Sequence, residues 1–335
     1  MNTSKTATIH DVAKHAGVSL STVSRVLNDY DAVNPQTRER VEAAIKAVQY
    51  EKSKPESAKQ AERSRMVGVI IPDLLNPFFP LLIYGIEQVS KIHNYDLVLC
   101  DSEDSADLER RHVNTLCERG VDGIILIPTS EEATHLERLI KKQCPFVFLD
   151  RFIELEGASY VISDNEEGAY QATKYLLKLG HQRILFLSGP KNVSTEHARL
   201  KGVHRALSEE GIDDDDEFWR MGNYHVEEAY QLVRSALQKG PEFTAIFAMN
   251  DMMAFGAKRA LEEQRISIPD EMSLVGYDDI LFSSIISLTS VSQPTSEMGR
   301  NAMVLLLDLI HERITMPQHI VLRPSMVIRG SCQRR

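Results

Sequence analysis

The chain has few cysteines, no long apolar run and no cluster of metal-ligating residues, and each shortage closes a class of function. Its four cysteines, Cys100, Cys117, Cys144 and Cys332, are scattered over 335 residues without the spacing of a zinc site or a redox dithiol. Three of them sit in or beside apolar runs, which predicts buried free thiols. The eleven histidines form no H-x-x-x-H or H-E-x-x-H pair, so no metal and no other cofactor is expected. No stretch reaches 18 apolar residues and the first five residues carry no apolar leader, so the expectation is a cytoplasmic protein with no membrane role. G-x-S-x-G, P-loop and zinc-hydrolase spacings are missing as well, which argues against an enzyme.

What is present begins at residue 8. Ile9, Val12, Ala13 and Ala16 recur at helical spacing, Gly17 interrupts, and Val18, Val23, Val26 and Leu27 resume. Two short helices around a tight corner follow, with Gly17 supplying a positive φ and Ser19 capping the second helix. A third helix is predicted from Asn34 as cap and Pro35 as first residue, with Val41, Ala44, Ile45 and Val48 inward and Tyr50 at its end. A helix-turn-helix has this arrangement, and its second helix lies in the major groove of double-stranded DNA. Leu20, Ser21 and Arg25 would then reach base edges, Arg25 as a reader of guanine. Thr8, Ser19, Thr22, Ser24 and Asn28 would hold phosphates. The plain alternative is a helical hairpin within a larger core.

A net charge of −10 looks wrong for a DNA-binding protein until it is divided along the chain. Residues 1–65 hold eleven Lys and Arg against eight Asp and Glu, a balance of +3, whereas residues 66–335 stand at −13. An acidic body cannot lie along a phosphate backbone, so contact is confined to the N-terminal unit. Two such units held in a homodimer would read a palindromic operator.

The length exceeds what one core serves, so two or three domains are expected. From Met66 onward short apolar runs (67–71, 96–100, 123–127, 146–150) alternate with helical stretches at 79–93, 105–119 and 131–142. A second series has runs at 184–187, 245–249 and 273–276, with helices near 166–179, 196–210, 226–239 and 251–264. Both read as buried parallel strands in doubly wound α/β sheets. Ligands bind beyond the carboxyl ends of such strands, and two facing sheets form a cleft there. The residues at those ends suit a hydroxylated ligand: Asp73 and Asn76 to Phe79, Asp150 and Arg151, Asp164 and Asn165, Asn250 and Asp251, and Tyr277 to Asp279. Carboxylates and amides pair with hydroxyls, an aromatic face covers a sugar ring, and Arg199 offers a fork for two adjacent oxygens. For each junction the alternative is a helix N-cap, with Asp251 the plainest case.

Together these residues resemble the bacterial lactose/galactose repressor family over nearly the whole chain. The resemblance is carried by Asp11–Ala13 and Ser19–Asn28, Val67–Pro72, Asn76–Phe79, Gly85–Glu87, Val121–Ile125, Asp164–Asn165, Gly180–Ile184, Asn250–Asp251 and Val275–Asp279. It implies a helix-turn-helix headpiece at 1–50, a hinge or linker at 51–65, and a periplasmic-binding-protein-like domain at 66–335 for effector binding and dimerisation. That domain would be split into subdomains 66–161 with 292–322, and 162–291 with 323–335. The resemblance also implies effector contacts from Phe79, Asp150, Thr195, Arg199, Tyr224, Asn250 and Asp278, with Tyr224 as a ring stacker; Phe78 joins them as the neighbouring aromatic. A sugar or nucleoside-like effector and a homodimer without a tetramer-forming tail follow.

One segment departs from that pattern. Counting from Tyr50, the hinge-helix positions that family members fill with Asn, Ala and Leu are here Ser53, Glu56 and Lys59. A lysine cannot wedge a base step apart as leucine does. Residues 53–63 read either as a solvated linker or as a divergent hinge helix with Lys59 on phosphate. The expected function is a sugar-responsive transcriptional regulator of the repressor kind. The other classes to weigh are a sugar-binding protein without a DNA role and a sugar-modifying enzyme.

Overall fold

The computed structural model describes residues 8–27, 33–48, 50, 63–132, 136, 139–140, 143–213, 215–239 and 242–335. The chain divides into two compact units, residues 1–63 and 64–335. Asn28, Lys59 and most of the helix expected at 131–142 lie outside the described residues.

The first unit contains α1 (Ile9–Ala16), α2 (Leu20–Leu27) and α3 (Pro35–Ala47). At the start of α1 the Asp11 carboxylate accepts from the Thr8 backbone N–H at 2.8 Å and from its hydroxyl at 2.7 Å. Gly17 closes α1 with φ 62°, a left-handed conformation that a side chain would strain. Arg40 on α3 donates to the Ala16 carbonyl at 2.6 Å, which satisfies an otherwise orphaned helix end. Asn34 caps α3 through the Gln36 N–H, with Pro35 in its first turn. Val12, Ala13, Ala16, Val23, Val26, Val41 and Ala44 form the core between the three helices.

The second unit is built on two six-stranded sheets. The first contains β1 (Met66–Ile71), β2 (Asp96–Asp101), β3 (Gly123–Leu126), β4 (Phe146–Leu149), β5 (Ser159–Ser163) and β11 (His319–Leu322), in the order β11-β5-β4-β3-β1-β2. The second contains β6 (Ile184–Ser188), β7 (Trp219–Met221), β8 (Ala245–Ala248), β9 (Ser273–Asp278), β10 (Thr289–Ser292) and β12 (Ser325–Val327), in the order β12-β10-β9-β8-β6-β7. Every neighbouring pair is parallel except β10 with β12. The central strands are continuous apolar runs because helices cover both faces. The helices are α4 (Phe78–Ile92), α5 (Ala106–Glu118), α6 (Asn165–Lys178), α7 (Ser194–Glu209), α8 (Val226–Lys239), α9 (Asp251–Glu263), α10 (Leu281–Ile285) and α11 (Thr295–Ile310).

The chain passes from one sheet to the other after β5, after β10 and after β11, and α11 returns to pack on the first sheet through Met298, Ala302 and Leu306. The four cysteines are half-buried thiols, less enclosed than their apolar surroundings predict. Cys100, Cys117 and Cys144 pack at the margin of one apolar cluster, and Cys332 at that of another. Among the described residues no helix is long and apolar enough to cross a membrane, and none cluster as metal ligands.

Candidate functional site

The carboxyl ends of the parallel strands deliver the polar residues. Asn76 to Phe79 follow β1 and open α4, Asp150 and Arg151 follow β4, and Thr195 and Arg199 lie on α7 beyond β6. Tyr224 follows β7, Asn250 follows β8, and Asp278 ends β9. One cavity of about 20 Å³ is lined by Phe78, Phe79, Asp150, Thr195, Arg199, Tyr224, Asn250 and Asp278, together with Asn76 and Arg151. Asp150, Tyr224 and Asp278 hold positive φ values of 65°, 68° and 103°. Non-glycine residues seldom adopt that backbone, and here it turns three side chains toward one point.

Arg199 is the hub. Its Nε donates to Asn165 Oδ1 at 2.8 Å, its Nη1 to the Met249 carbonyl, and its Nη2 stands 3.6 Å from Asp278 Oδ1. The guanidinium lies 3.9 Å from the centre of the Tyr277 ring and 5.8 Å from that of Tyr224. Burial works against its charge, but Tyr224, Tyr277, Asp278 and Asp150 outweigh that and hold it protonated. Burial pushes Asp278 well up from the carboxylate range and raises Asp150, with Arg199 pulling the first back and Arg151 and Arg199 the second. Gln293 donates to Asp278 Oδ1 at 2.8 Å. Arg151 donates to the Pro128 carbonyl at 3.2 Å and its Nε stands 3.9 Å from Asp150 Oδ2, while that Nε and Asp150 Oδ1 lack hydrogen-bond partners. Buried polar groups without partners are costly, and their gathering at one cavity marks a place for a polar ligand.

Tyr224 is fixed at every edge. Asn250 Nδ2 donates to its carbonyl at 3.1 Å, and its hydroxyl donates to Glu196 Oε2 at 2.8 Å. Its ring fills the space that a Cβ on Gly189 would take, at 2.1 Å. Glu196 itself is fully buried, and that burial raises its pKa. Reading the sequence missed Glu196, since a glutamate in the first turn of a helix ordinarily complements the helix dipole in solvent.

Several polar residues at strand ends have other duties. Asp164 caps α6 through the Glu167 N–H, Asp73 accepts from the Leu75 N–H, and Asp279 pairs with Arg329 at 2.7 Å. Asp251 is not the helix cap it was expected to be. Asn250 caps α9 through the Met253 N–H, while the Asp251 carboxylate is buried and accepts from the Ile280 N–H, Ser283 and Ser290. One position along the helix moves it from the rim into the packed interior beneath α10.

On the three-helix unit, Leu20, Ser21 and Arg25 share one exposed face of α2, with Ser24 half-buried between them. Ser19 accepts from the Thr22 N–H at 3.2 Å, and its hydroxyl lies 2.8 Å from those of Ser21 and Thr22. Thr8 is exposed at the start of α1. The second helix therefore offers solvent a short row of hydroxyls around an arginine and a leucine.

A small helical unit with a polar second helix, on the same chain as a two-sheet cleft lined for a polar ligand, defines a ligand-controlled DNA-binding protein. Comparison with known proteins gives the same class. Residues 8–53 match the family model of bacterial regulatory proteins of the lacI family, and residues 64–323 match that of periplasmic binding proteins and the sugar-binding domain of the LacI family. The chain belongs to the LacI family. It is 35% identical to the ribose operon repressor of Halalkalibacterium halodurans, over 95% of this chain and 96% of that one. Its fold is similar to a transcriptional regulator CelR in complex with cellobiose, with a TM-score of 0.75 and 30% identity over 97% of this chain and 99% of the other. It is likewise similar to a LacI-family regulator from Enterococcus faecium with bound ribose, with a TM-score of 0.73 and 32% identity over 81% of this chain and 99% of the other. The protein is a DNA-binding transcriptional repressor controlled by a small effector, and not an enzyme.

Proposed function

We propose that the protein acts in the cytoplasm as a homodimer on a palindromic operator, and that its effector is a pentose of the ribose type. The observation that carries the effector assignment is the convergence of Asp150, Arg151, Arg199, Asn250 and Asp278 around one small cavity edged by Phe78 and Phe79. Two carboxylates and two guanidiniums can each span a pair of neighbouring hydroxyls, and the aromatic pair can lie along the apolar side of the ring. A compact ring with a hydroxyl on nearly every carbon answers that set. The ribose named for one relative and bound in another fits the same chemistry.

The cavity is too small for a sugar ring, so binding must part its walls, which come from both sheets. That movement is the two-state element through which DNA affinity changes. A full reversal of the DNA-binding state needs about 5.5 kcal/mol of preference for one form. Leu20, Ser21 and Arg25 read the operator while Thr8, Ser19, Thr22 and Ser24 hold phosphates; Asn28 and Lys59 belong to the same proposed interface.

The homodimer is supported by an apolar face on the second unit. Leu74, Leu75, Leu281, Phe282 and Ile285 are exposed, and a groove of about 250 Å³ runs between Leu75, Pro77, Met252, Phe255, Phe282 and Ile286. Both sheets' segments contribute, so a second copy related by a two-fold axis meets the same surface on each side. Footprinting on the DNA upstream of the protein's own gene, with and without ribose, tests the reading: a protected inverted repeat is expected, and no protection under either condition overturns it.

A further inference from the structure

Beside the central cavity lies a larger chamber of about 200 Å³. Asp150 and Thr195 line both spaces, so the two share a wall. The rest of its wall includes Phe152, Ala198 and the passage from β5 into α6, residues 163–166. Phe152, Glu166, Ser194 and Ala198 also border an outer pocket of about 520 Å³, where Glu131, Glu154, His197 and Lys201 stand. The three spaces therefore adjoin in series from the outer surface toward the hub of the site.

Two properties of the chamber bear on what it takes. Ser163 lines it but not the central cavity, is 1% exposed, and its hydroxyl has no partner. The unpartnered Asp150 Oδ1 belongs to the shared wall. Charge is the second property: no Lys, Arg or His lines the chamber, whereas Asp150, Asp164 and Glu166 do. The N-termini of α6 and α7 meet the wall; the Asp164 carboxylate caps the first, where Glu166 and Glu167 are each paired with Arg205 at 2.8 Å, and Glu196 stands in the first turn of the second. In the outer pocket His197 is held by Glu131 at 2.9 Å, and Lys201 lines the same space as Glu154 and Glu166.

We propose that this chamber is a second compartment of the effector site, which receives a neutral, hydrogen-bond-donating substituent on the sugar and rejects a phosphorylated one. The inference rests on the sugar reading above and adds the selectivity: the effector is unphosphorylated, and a hydroxyl or amine extending from the ring finds the Ser163 hydroxyl and Asp150. A phosphate there meets the Asp150 and Asp164 carboxyls on a wall that presents no Lys, Arg or His; Arg205, which pairs with Glu166 at 2.8 Å, does not line it.

The test is calorimetry on the full chain with ribose, glucose and galactose, each as the free sugar, as anomeric and terminal 2-hydroxyethyl ethers, and as phosphate monoesters. The sugar that binds should keep its affinity within about three-fold as one of the two ethers, and lose about 100-fold as the phosphate. Ser163→Ala removes a hydroxyl without an internal partner, so the fold should be kept. It should weaken the bound ether about five-fold and the parent sugar less than two-fold. Ala198→Phe, which fills the chamber, should abolish binding of the ether alone. Equal affinity for the phosphate, rejection of both ethers, or equal losses for ether and parent in Ser163→Ala would overturn the chamber. If glucose or galactose binds and ribose does not, the pentose reading falls and the chamber is judged on that sugar; binding of none overturns both.

Discussion

The hydroxyl of Tyr224 donates to Glu196 at 2.8 Å, joining the loop after β7 to the first turn of α7 inside the protein. This bond sets the plane of the ring that faces both Arg151 and Arg199, at 5.9 and 5.8 Å from its centre. Tyr224→Phe removes the side-chain donor to a buried carboxylate and should cost about 1–3 kcal/mol of stability in urea unfolding. Adding Glu196→Gln, which removes the charge, should recover most of that loss. Additive losses in the double variant would mean that the two side chains do not act as a pair.

Arg199→Ala should eliminate the response to effector while DNA binding persists. Because Arg199 is buried against Asp278 and holds Asn165 and the Met249 carbonyl, the variant should also lose about 3–5 kcal/mol of unfolding stability. Calorimetry and gel shift on the same preparation, at a temperature where the variant stays folded, separate the two effects.

Asp251 gives the fold a pH dependence. Burial, only partly offset by bonds from Ser283, Ser290 and the Ile280 N–H, raises its pKa from 3.8 to about 6. The native state thus holds this proton more tightly than the unfolded chain. The resulting stability is full below pH 3.8 and is lost as pH rises through 6, by up to about 3 kcal/mol. Asp251→Asn should lack this component, so the stability difference between wild type and variant should shrink in favour of the variant between pH 4.5 and 7.5. A difference independent of pH would contradict it.

The sequence made the central strands legible because β1, β3, β4, β6 and β8 are continuous apolar runs with helices on both sides. β5, whose burial alternates, and the three-residue edge strand β12 carry too short or too broken an apolar signal to be read. β11, half exposed at the sheet edge, and α11, sixteen residues long, were missed as well, and for α11 apolar content was not the obstacle. Strand-end residues such as Asp150, Asn250 and Asp278 were legible because open parallel sheets place ligands there. Glu196 and Ser163 were not: their roles depend on what packs over them, which no local pattern records. Asp251 was misread for the same reason, since its three donors come from residues 280–290.

Leu75→Asp and Phe282→Asp each place a charge in the apolar face and should shift sedimentation toward the monomer, with loss of operator affinity and unchanged binding of effector. A dimer that survives both substitutions would locate the interface elsewhere.

Lys59→Leu should tighten specific DNA binding and increase operator bending if residues 53–63 form a divergent hinge helix. Gel-shift bending assays that show no change in either quantity would favour a linker.

The most direct test of effector-controlled DNA binding is fluorescence anisotropy of a labelled duplex carrying the upstream inverted repeat, titrated with the full chain across ribose concentrations. Kd should change at least ten-fold at saturating ribose, and that change should be absent in Arg199→Ala. A Kd that stays constant while calorimetry shows the site filled would contradict it.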